Sequence, residues 1–207
     1  MDKITLGTRN VSIEFPGVKA LSNVDFEIET GVIHALMGAN GAGKSTLMKV
    51  LAGSNPGYTG DVLYNGNPVE LRNPAAAKKL GIQIVYQEVD MALIPTLTVA
   101  ENVMFNDLVM NMGHKQFVNY GKIRKDAKEA LARLNVNIDV RRMCGTLTLA
   151  QKQIVLIARA VQSACNFLIL DEPTAPLSDT ETEELFRVVR HLRKTENLAV
   201  IFITHRI

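Results

Sequence analysis

The sequence predicts an α/β fold in which a mostly parallel core sheet is flanked by helices, with antiparallel strands near the N-terminus and a helical insertion. A glycine-rich loop at residues 38–46 stands between an apolar run that suits a buried strand and a run that suits a helix. Short apolar runs then alternate with helical patterns, which is typical of a parallel sheet covered by helices. The insertion is the mainly helical stretch from about residue 88 to 149.

The predicted strands form two groups. Near the N-terminus polar and apolar residues alternate on both sides of Pro16-Gly17, and a later alternating run leads into Asn65-Gly66, a hairpin dipeptide. The other strands are continuous apolar runs, which suit a buried parallel sheet. Alternating strands are predicted at residues 11–15, 24–29 and 60–64, and buried strands at 32–37, 82–86, 167–170 and 199–203.

The predicted helices carry recognisable start signals. Thr98 and Glu101 match a capping box, as do Ser178 and Glu181. Breaks are expected at Gly113 and Gly121, and residues 88–97 have no regular period. The basic residues of the insertion are expected to form a solvated face rather than a nucleic-acid patch. Helices are predicted at residues 47–52, 74–80, 123–134 and 153–161, and after each capping box.

The composition fits one well-buried domain with an insertion. Of the 207 residues, 47% are hydrophobic and 21% are charged, which is ordinary for a globular protein. The net charge of +2 is too small to indicate a nucleic-acid partner. Cys144 and Cys165 lack metal-ligand spacing and no secretory segment precedes them, so a reducing cytoplasm is expected. The sequence contains no apolar run of about 18 residues, so it predicts no membrane-spanning helix.

The loop at residues 38–46 matches the pattern of a phosphate-binding loop. Its glycines let backbone N–H groups turn toward an anion, and the helix that follows adds partial positive charge. A P-loop NTPase is therefore expected, with Lys44 on the β- and γ-phosphates and the Ser45 hydroxyl on Mg²⁺. The alternative is a glycine-rich turn without a ligand. The nucleotide-binding residues predicted in the loop are Gly38, Asn40, Gly41, Ala42, Gly43, Lys44, Ser45 and Thr46.

An acidic pair follows the buried strand at residues 167–170. The strand delivers Asp171 to the carboxyl edge of the sheet, where it is expected to hold Mg²⁺ opposite Ser45. Glu172 is placed to accept a proton from an attacking water. A solvent-exposed acidic pair without a ligand is the alternative, and the upstream phosphate loop argues against it.

Residues 38–46, Gln87, 147–151, 167–174 and 204–205 together resemble, in order and spacing, the nucleotide-binding domain of ABC ATPases. Within that family, residues 15–21, the phosphate loop and residues 179–183 resemble the N-terminal cassette of monosaccharide importers of the ribose, galactose or xylose type. The likeness covers nearly the whole chain.

The resemblance implies roles for residues outside the loop. Phe15 would stack on adenine, Gln87 would reach Mg²⁺ and the attacking water, and His205 would bond the γ-phosphate. The signature segment at 147–151 would approach an ATP held by a partner cassette. The implied catalytic set is Lys44, Gln87, Glu172 and His205, the metal set is Ser45, Gln87 and Asp171, and the further binding residues are Phe15, Thr148, Ala150 and Gln151.

Two segments depart from the family pattern. Leu149 and Ala150 replace the two glycines of the usual L-S-G-G-Q signature, whose small size lets the backbone approach the phosphate, although Thr148 keeps a hydroxyl. A larger first residue is common in sugar-importer cassettes, so Ala150 is the greater departure. Residues 175–178, Ala-Pro-Leu-Ser, stand where the family often has S-A-L-D.

The resemblance implies a subunit of an importer that binds and hydrolyses ATP, with ATP and Mg²⁺ as cofactors. The subunit would lie on the cytoplasmic face of the cell membrane, and its ATP hydrolysis would drive uptake of a monosaccharide. Its expected partners are a second cassette, in cis or in trans, a transmembrane permease and, indirectly, a periplasmic or lipid-anchored sugar-binding protein, but no nucleic acid. The alternatives are another solute such as a nucleoside, or a nucleotide-dependent interaction module with little turnover. Kinases and GTPases with a phosphate loop would lack the constellation of Gln87, residues 148–151 and His205.

One nucleotide-binding domain is expected over residues 1–207. Its core would comprise residues 1–87 and 150–207, and its helical subdomain about 88–149. Members of the family continue beyond the histidine that His205 matches, so this chain, which ends at Ile207, is expected to be a fragment of a longer one.

Overall fold

The computed structural model describes residues 3–111 and 118–204, and the chain divides into two compact units. One unit contains Met1–Ile84, Ala164–Ala175 and Arg193–Ile207, and the other contains Val85–Ser163 and Pro176–Leu192. The strands are β1 (Thr5–Phe15), β2 (Val18–Glu29), β3 (Ile33–Met37), β4 (Thr59–Tyr64), β5 (Asn67–Val69), β6 (Ile82–Val85), β7 (Phe167–Asp171) and β8 (Ala199–Thr204). The helices are α1 (Lys44–Leu51), α2 (Pro74–Lys79), α3 (Val89–Ala92), α4 (Val99–Val103), α5 (Phe105–Asn111), α6 (Tyr120–Arg133), α7 (Leu149–Gln162) and α8 (Asp179–Glu196).

The first unit contains an antiparallel sheet with the strand order β2-β1-β4-β5. Phe15 pairs with Val18 across the predicted turn at Pro16-Gly17. Strand β1 begins six residues before the predicted strand at residue 11, because shifts in register between Thr8 and Val11 break the alternation on which the prediction depended. The expected antiparallel strands are therefore present, with a longer first strand.

The first unit also contains the core sheet, in the order β3-β8-β7-β6. Strand β8 runs parallel to both β3 and β7, and Asp171 at the end of β7 pairs with Ile203. Apolar side chains of both sheets form one buried cluster with those of α1, including Met48 and Leu51. The predicted α/β class with a parallel sheet and N-terminal antiparallel strands is confirmed.

The second unit is helical and contains α3 to α7 with most of α8. Thr98 and Glu101 form the predicted capping box at the start of α4. The predicted break at Gly121 is wrong, because α6 begins at Tyr120 and Asn119 caps it by accepting a hydrogen bond from Lys122 N. A glycine in the first turn disturbs no intrahelical N–H bond. Gly113, the other predicted break, lies outside the described residues.

Among the described residues, no helix combines the length and apolar character that a membrane crossing requires.

Candidate nucleotide-binding site

The phosphate-binding pattern forms the connection between β3 and α1. Gly43 precedes α1 with φ of 85°, and a Cβ at this position would lie 2.6 Å from Ala20 O and 2.8 Å from Leu21 Cδ2. Both the left-handed backbone and the close approach therefore require glycine. No side chain caps α1 and no acidic residue lies in its first turn, so the partial positive charge of the helix end is available to an anion.

The Lys44 ammonium folds back over this loop. Its Nζ donates hydrogen bonds to Gly38 O at 2.6 Å and to Ala39 O at 2.9 Å. The positive charge of Lys44 therefore lies beside the carbonyl oxygens of the exposed loop. Phosphate oxygens carry negative charge and make stronger hydrogen bonds with an ammonium than neutral carbonyls do, so they fit as replacement partners.

The first unit brings Ser45 and Asp171 into contact, although they are 126 residues apart in the sequence. The Ser45 hydroxyl donates to Asp171 Oδ1 at 3.2 Å. Burial raises the pKa of the Asp171 carboxyl, the Ser45 hydrogen bond lowers it, and the neighbouring Glu172 charge raises it further. A hydroxyl beside a poorly solvated carboxylate is a set of ligands that fits Mg²⁺, because this ion prefers oxygen ligands. Phosphate and water commonly supply its remaining ligands.

Glu172 adopts a backbone conformation that is unfavourable for a glutamate. Its φ is 47°, in the left-handed region, while its N–H donates to Ile203 O at 3.1 Å. The other described non-glycine residues with positive φ are all asparagines, which tolerate this region better: Asn10, Asn23, Asn65, Asn135 and Asn197. Such outliers cluster at functional sites, where the strain serves a role.

The remaining predicted residues are distributed between the two units. Phe15 ends β1 in the first unit with 41% of its surface exposed, as stacking on a base would require. Gln87 is exposed and lies in the second unit between β6 and α3. His205 lies outside the described residues.

The signature residues pair with each other at the start of α7. Thr148 Oγ1 accepts a hydrogen bond from Gln151 N, and Gln151 Oε1 accepts one from Thr148 N, which makes a capping box. The T-x-x-Q pattern could have predicted this pairing. Ala150, expected to crowd an approaching phosphate, is 1% exposed, so its methyl group points into the unit.

Two further residues of α7 contact the segment that follows Gln87. Lys152 Nζ lies 2.7 Å from Asp90 Oδ1, and Arg159 Nη1 donates to Ala92 O at 2.7 Å. These partners are separated by 62 and 67 residues, and no local pattern in the sequence indicates the contacts.

Comparisons with known proteins match this arrangement. The model of the family described as ABC transporter matches residues 21–175. The Ribose import ATP-binding protein RbsA 1 of Rubrobacter xylanophilus is 44% identical over 202 residues, which are 98% of this chain and 39% of the relative. The chain therefore spans about two fifths of the length of this curated relative.

Solved structures resemble the fold closely. The structure of MJ1267 in its ADP conformation, an ATP-binding cassette of an ABC transporter, matches with a TM-score of 0.85 at 25% identity. The match covers 100% of this chain and 83% of the MJ1267 chain. The dimeric structure of MJ0796, a bacterial ABC transporter cassette, has a TM-score of 0.77 at 25% identity, with 97% and 88% covered. Since the family match runs from before the phosphate loop to beyond Glu172, the chain belongs to the ABC transporter family.

Proposed function

We propose that this chain binds ATP with Mg²⁺, hydrolyses the ATP and couples hydrolysis to import of a monosaccharide. The contact between Ser45 and Asp171 carries the proposal, because it joins the hydroxyl of a phosphate loop to the carboxylate that a nucleotide-bound Mg²⁺ requires. The name of the Rubrobacter xylanophilus relative, a ribose import ATP-binding protein, supports a monosaccharide as the solute.

The chain's own residues have distinct parts in this reaction. The phosphate loop and the uncapped end of α1 bind the phosphates, and Lys44 exchanges its carbonyl partners for phosphate oxygens. Ser45 and Asp171 would hold Mg²⁺, with Gln87 as the further ligand that the resemblance implies, and the bound ion would neutralise phosphate charge. Glu172 accepts a proton from the attacking water, and His205 bonds the γ-phosphate.

The proposed partner for catalysis is a second cassette, in the same longer chain or in another. Thr148, Ala150 and Gln151 would contact the ATP held by that partner, with Phe15 stacking on the adenine of the chain's own ATP. The dimeric cassette among the similar structures supports a paired arrangement. A transmembrane permease and, through it, a sugar-binding protein complete the assembly, with this chain peripheral on the cytoplasmic face.

We further propose that residues 1–207 form one nucleotide-binding domain. Its core would comprise residues 1–87 and 150–207, and its helical subdomain about 88–149.

The test of the proposed chemistry is Glu172→Gln in the assembled transporter with permease and partner cassette. We expect steady-state ATP turnover at this chain's own site to fall by about 100-fold or more, because the amide cannot accept the proton, while ATP binding persists. Glu129→Gln, on the exposed face of α6, is the matched control and should keep full turnover. An undiminished rate in Glu172→Gln would contradict the assignment of Glu172 as the base.

The solute is tested separately by uptake into proteoliposomes. Uptake of labelled ribose is compared with uptake of a labelled nucleoside, which separates the two solute classes.

A further inference from the structure

Helix α3, which begins two residues after Gln87, is held against α7 at both of its ends. The Asp90 carboxylate contacts the Lys152 ammonium at 2.7 Å, and Ala92 O accepts a hydrogen bond from Arg159 at 2.7 Å. Lys152 and Arg159 are seven residues apart on α7, about two helical turns, so they lie on one face of that helix. The segment after Gln87 is therefore fixed along the face of α7.

The contact through Arg159 is part of the packed interior of the second unit. Arg159 Nε donates to Asn102 O at 2.6 Å, and its guanidinium lies 5.4 Å from the centre of the Phe105 ring. Burial lowers the pKa of Arg159. A half-buried guanidinium with this many partners stabilises the unit as a whole, and its removal would disturb folding.

The contact through Lys152 is different in kind. The Lys152 side chain is 18% exposed and that of Asp90 is 74% exposed. Lys152 lies close to the N-terminal end of α7, where the helix dipole disfavours a cation and no acidic residue of the first turn compensates it. The carboxylate of Asp90 supplies that compensation, so the ion pair favours one position of α3. Because Asp90 is mostly exposed, loss of the ion pair should lower the stability of the unit only slightly.

The two partners lie next to the residues proposed to act. Asp90 is three residues after Gln87, and Lys152 directly follows Gln151. A displacement of the segment after Gln87 must move Lys152 or break the ion pair. We propose that Lys152 is a positioning residue, whose ion pair with Asp90 transmits movement of the segment after Gln87 to the Thr148 end of α7 and so makes ATP turnover responsive to the permease.

This inference rests on the proposed function, and the experiment is charge reversal in the assembled transporter. Lys152→Glu is expected to reduce the permease-stimulated ATPase rate by up to about fivefold, the range for a partly exposed ion pair. The basal rate and the KM for ATP should change less than the stimulated rate, because Lys152 is not among the residues proposed to bind ATP or Mg²⁺. Asp90→Lys should have the same effect, the double reversal should restore stimulation, and Lys152→Arg should retain it.

The control is charge reversal of Lys125 and Glu129, an exposed pair at 3.9 Å on α6, which should leave stimulation unchanged. Thermal unfolding of each variant shows that it folds, and Lys152→Gln replaces Lys152→Glu if the reversed charge prevents folding. Normal stimulation in Lys152→Glu, or a loss that the double reversal does not restore, overturns the inference. If the wild-type assembly has no ATPase activity that depends on Glu172, the proposed function fails first and this inference fails with it.

Discussion

At the scale of single residues, Glu172 shows how local strain and a proposed chemical role coincide. The backbone hydrogen bond from Glu172 N to Ile203 O continues the pairing of β7 with β8, yet φ at this position is 47°. A left-handed conformation costs a residue with a side chain about 1–2 kcal/mol. Glycine or asparagine would avoid most of that cost, so glutamate is not the residue that backbone stability favours at this position.

This backbone strain predicts an unusual response to substitution. Glu172→Gly should be more stable than Glu172→Ala by about 1 kcal/mol in the free energy of unfolding, because both remove the carboxylate and only alanine keeps the strain. The same pair at Lys128, an exposed position within α6, should show the opposite order, with glycine less stable by about 1 kcal/mol. Urea unfolding of the four variants measures both differences. Equal stabilities of the two Glu172 variants would show that the strain is absent.

At the scale of elements, the helix starts show what a short pattern can predict. The S/T-x-x-E patterns at Thr98 and Ser178 predicted capping boxes, and both are present. The same kind of pattern at Thr148 and Gln151 also forms a capping box, in a segment for which the resemblance implies a helix start that faces phosphate. Capping depends on residues three apart, so the sequence contains all of its information. The hydrogen bonds of Asn102, in contrast, are not predicted from the sequence, because its partners depend on tertiary structure.

Asn102 fixes the turn that joins α3 to α4. It is fully buried, its Nδ2 donates to Ile94 O at 2.9 Å and to Thr98 O at 3.1 Å, and its Oδ1 accepts from Ile94 N at 2.9 Å. Asn102→Ala would leave several buried polar groups without partners, so we expect it to lower the free energy of unfolding by about 3 kcal/mol. Asn137→Ala, at an exposed position of the same unit, should lower it by less than about 0.5 kcal/mol. Denaturant unfolding would contradict the prediction if the two variants had similar stability.

At the scale of the whole molecule, long-range contacts were predicted where a motif had already joined distant segments. Ser45 and Asp171 were expected to meet because the ends of parallel strands share one edge of a sheet, and they do meet. The pairing of Lys152 with Asp90 belongs to no such motif and required the structure. The early start of β1 was missed for a related reason, since irregular register removes the alternation that reveals a strand.

The proposed sharing of ATP between two cassettes leads to a prediction about association. If Thr148 contacts a nucleotide held by a second chain, ATP should join two copies when hydrolysis is prevented. We expect Glu172→Gln with ATP and Mg²⁺ to double in molar mass by light scattering and to return to the monomer when ATP is removed. Adding Thr148→Glu should prevent the change, because a carboxylate at the end of α7 repels phosphate, whereas adding Thr148→Ser should permit it. A Glu172→Gln chain that binds ATP tightly and remains monomeric at high concentration would show that two copies of this chain do not share the site.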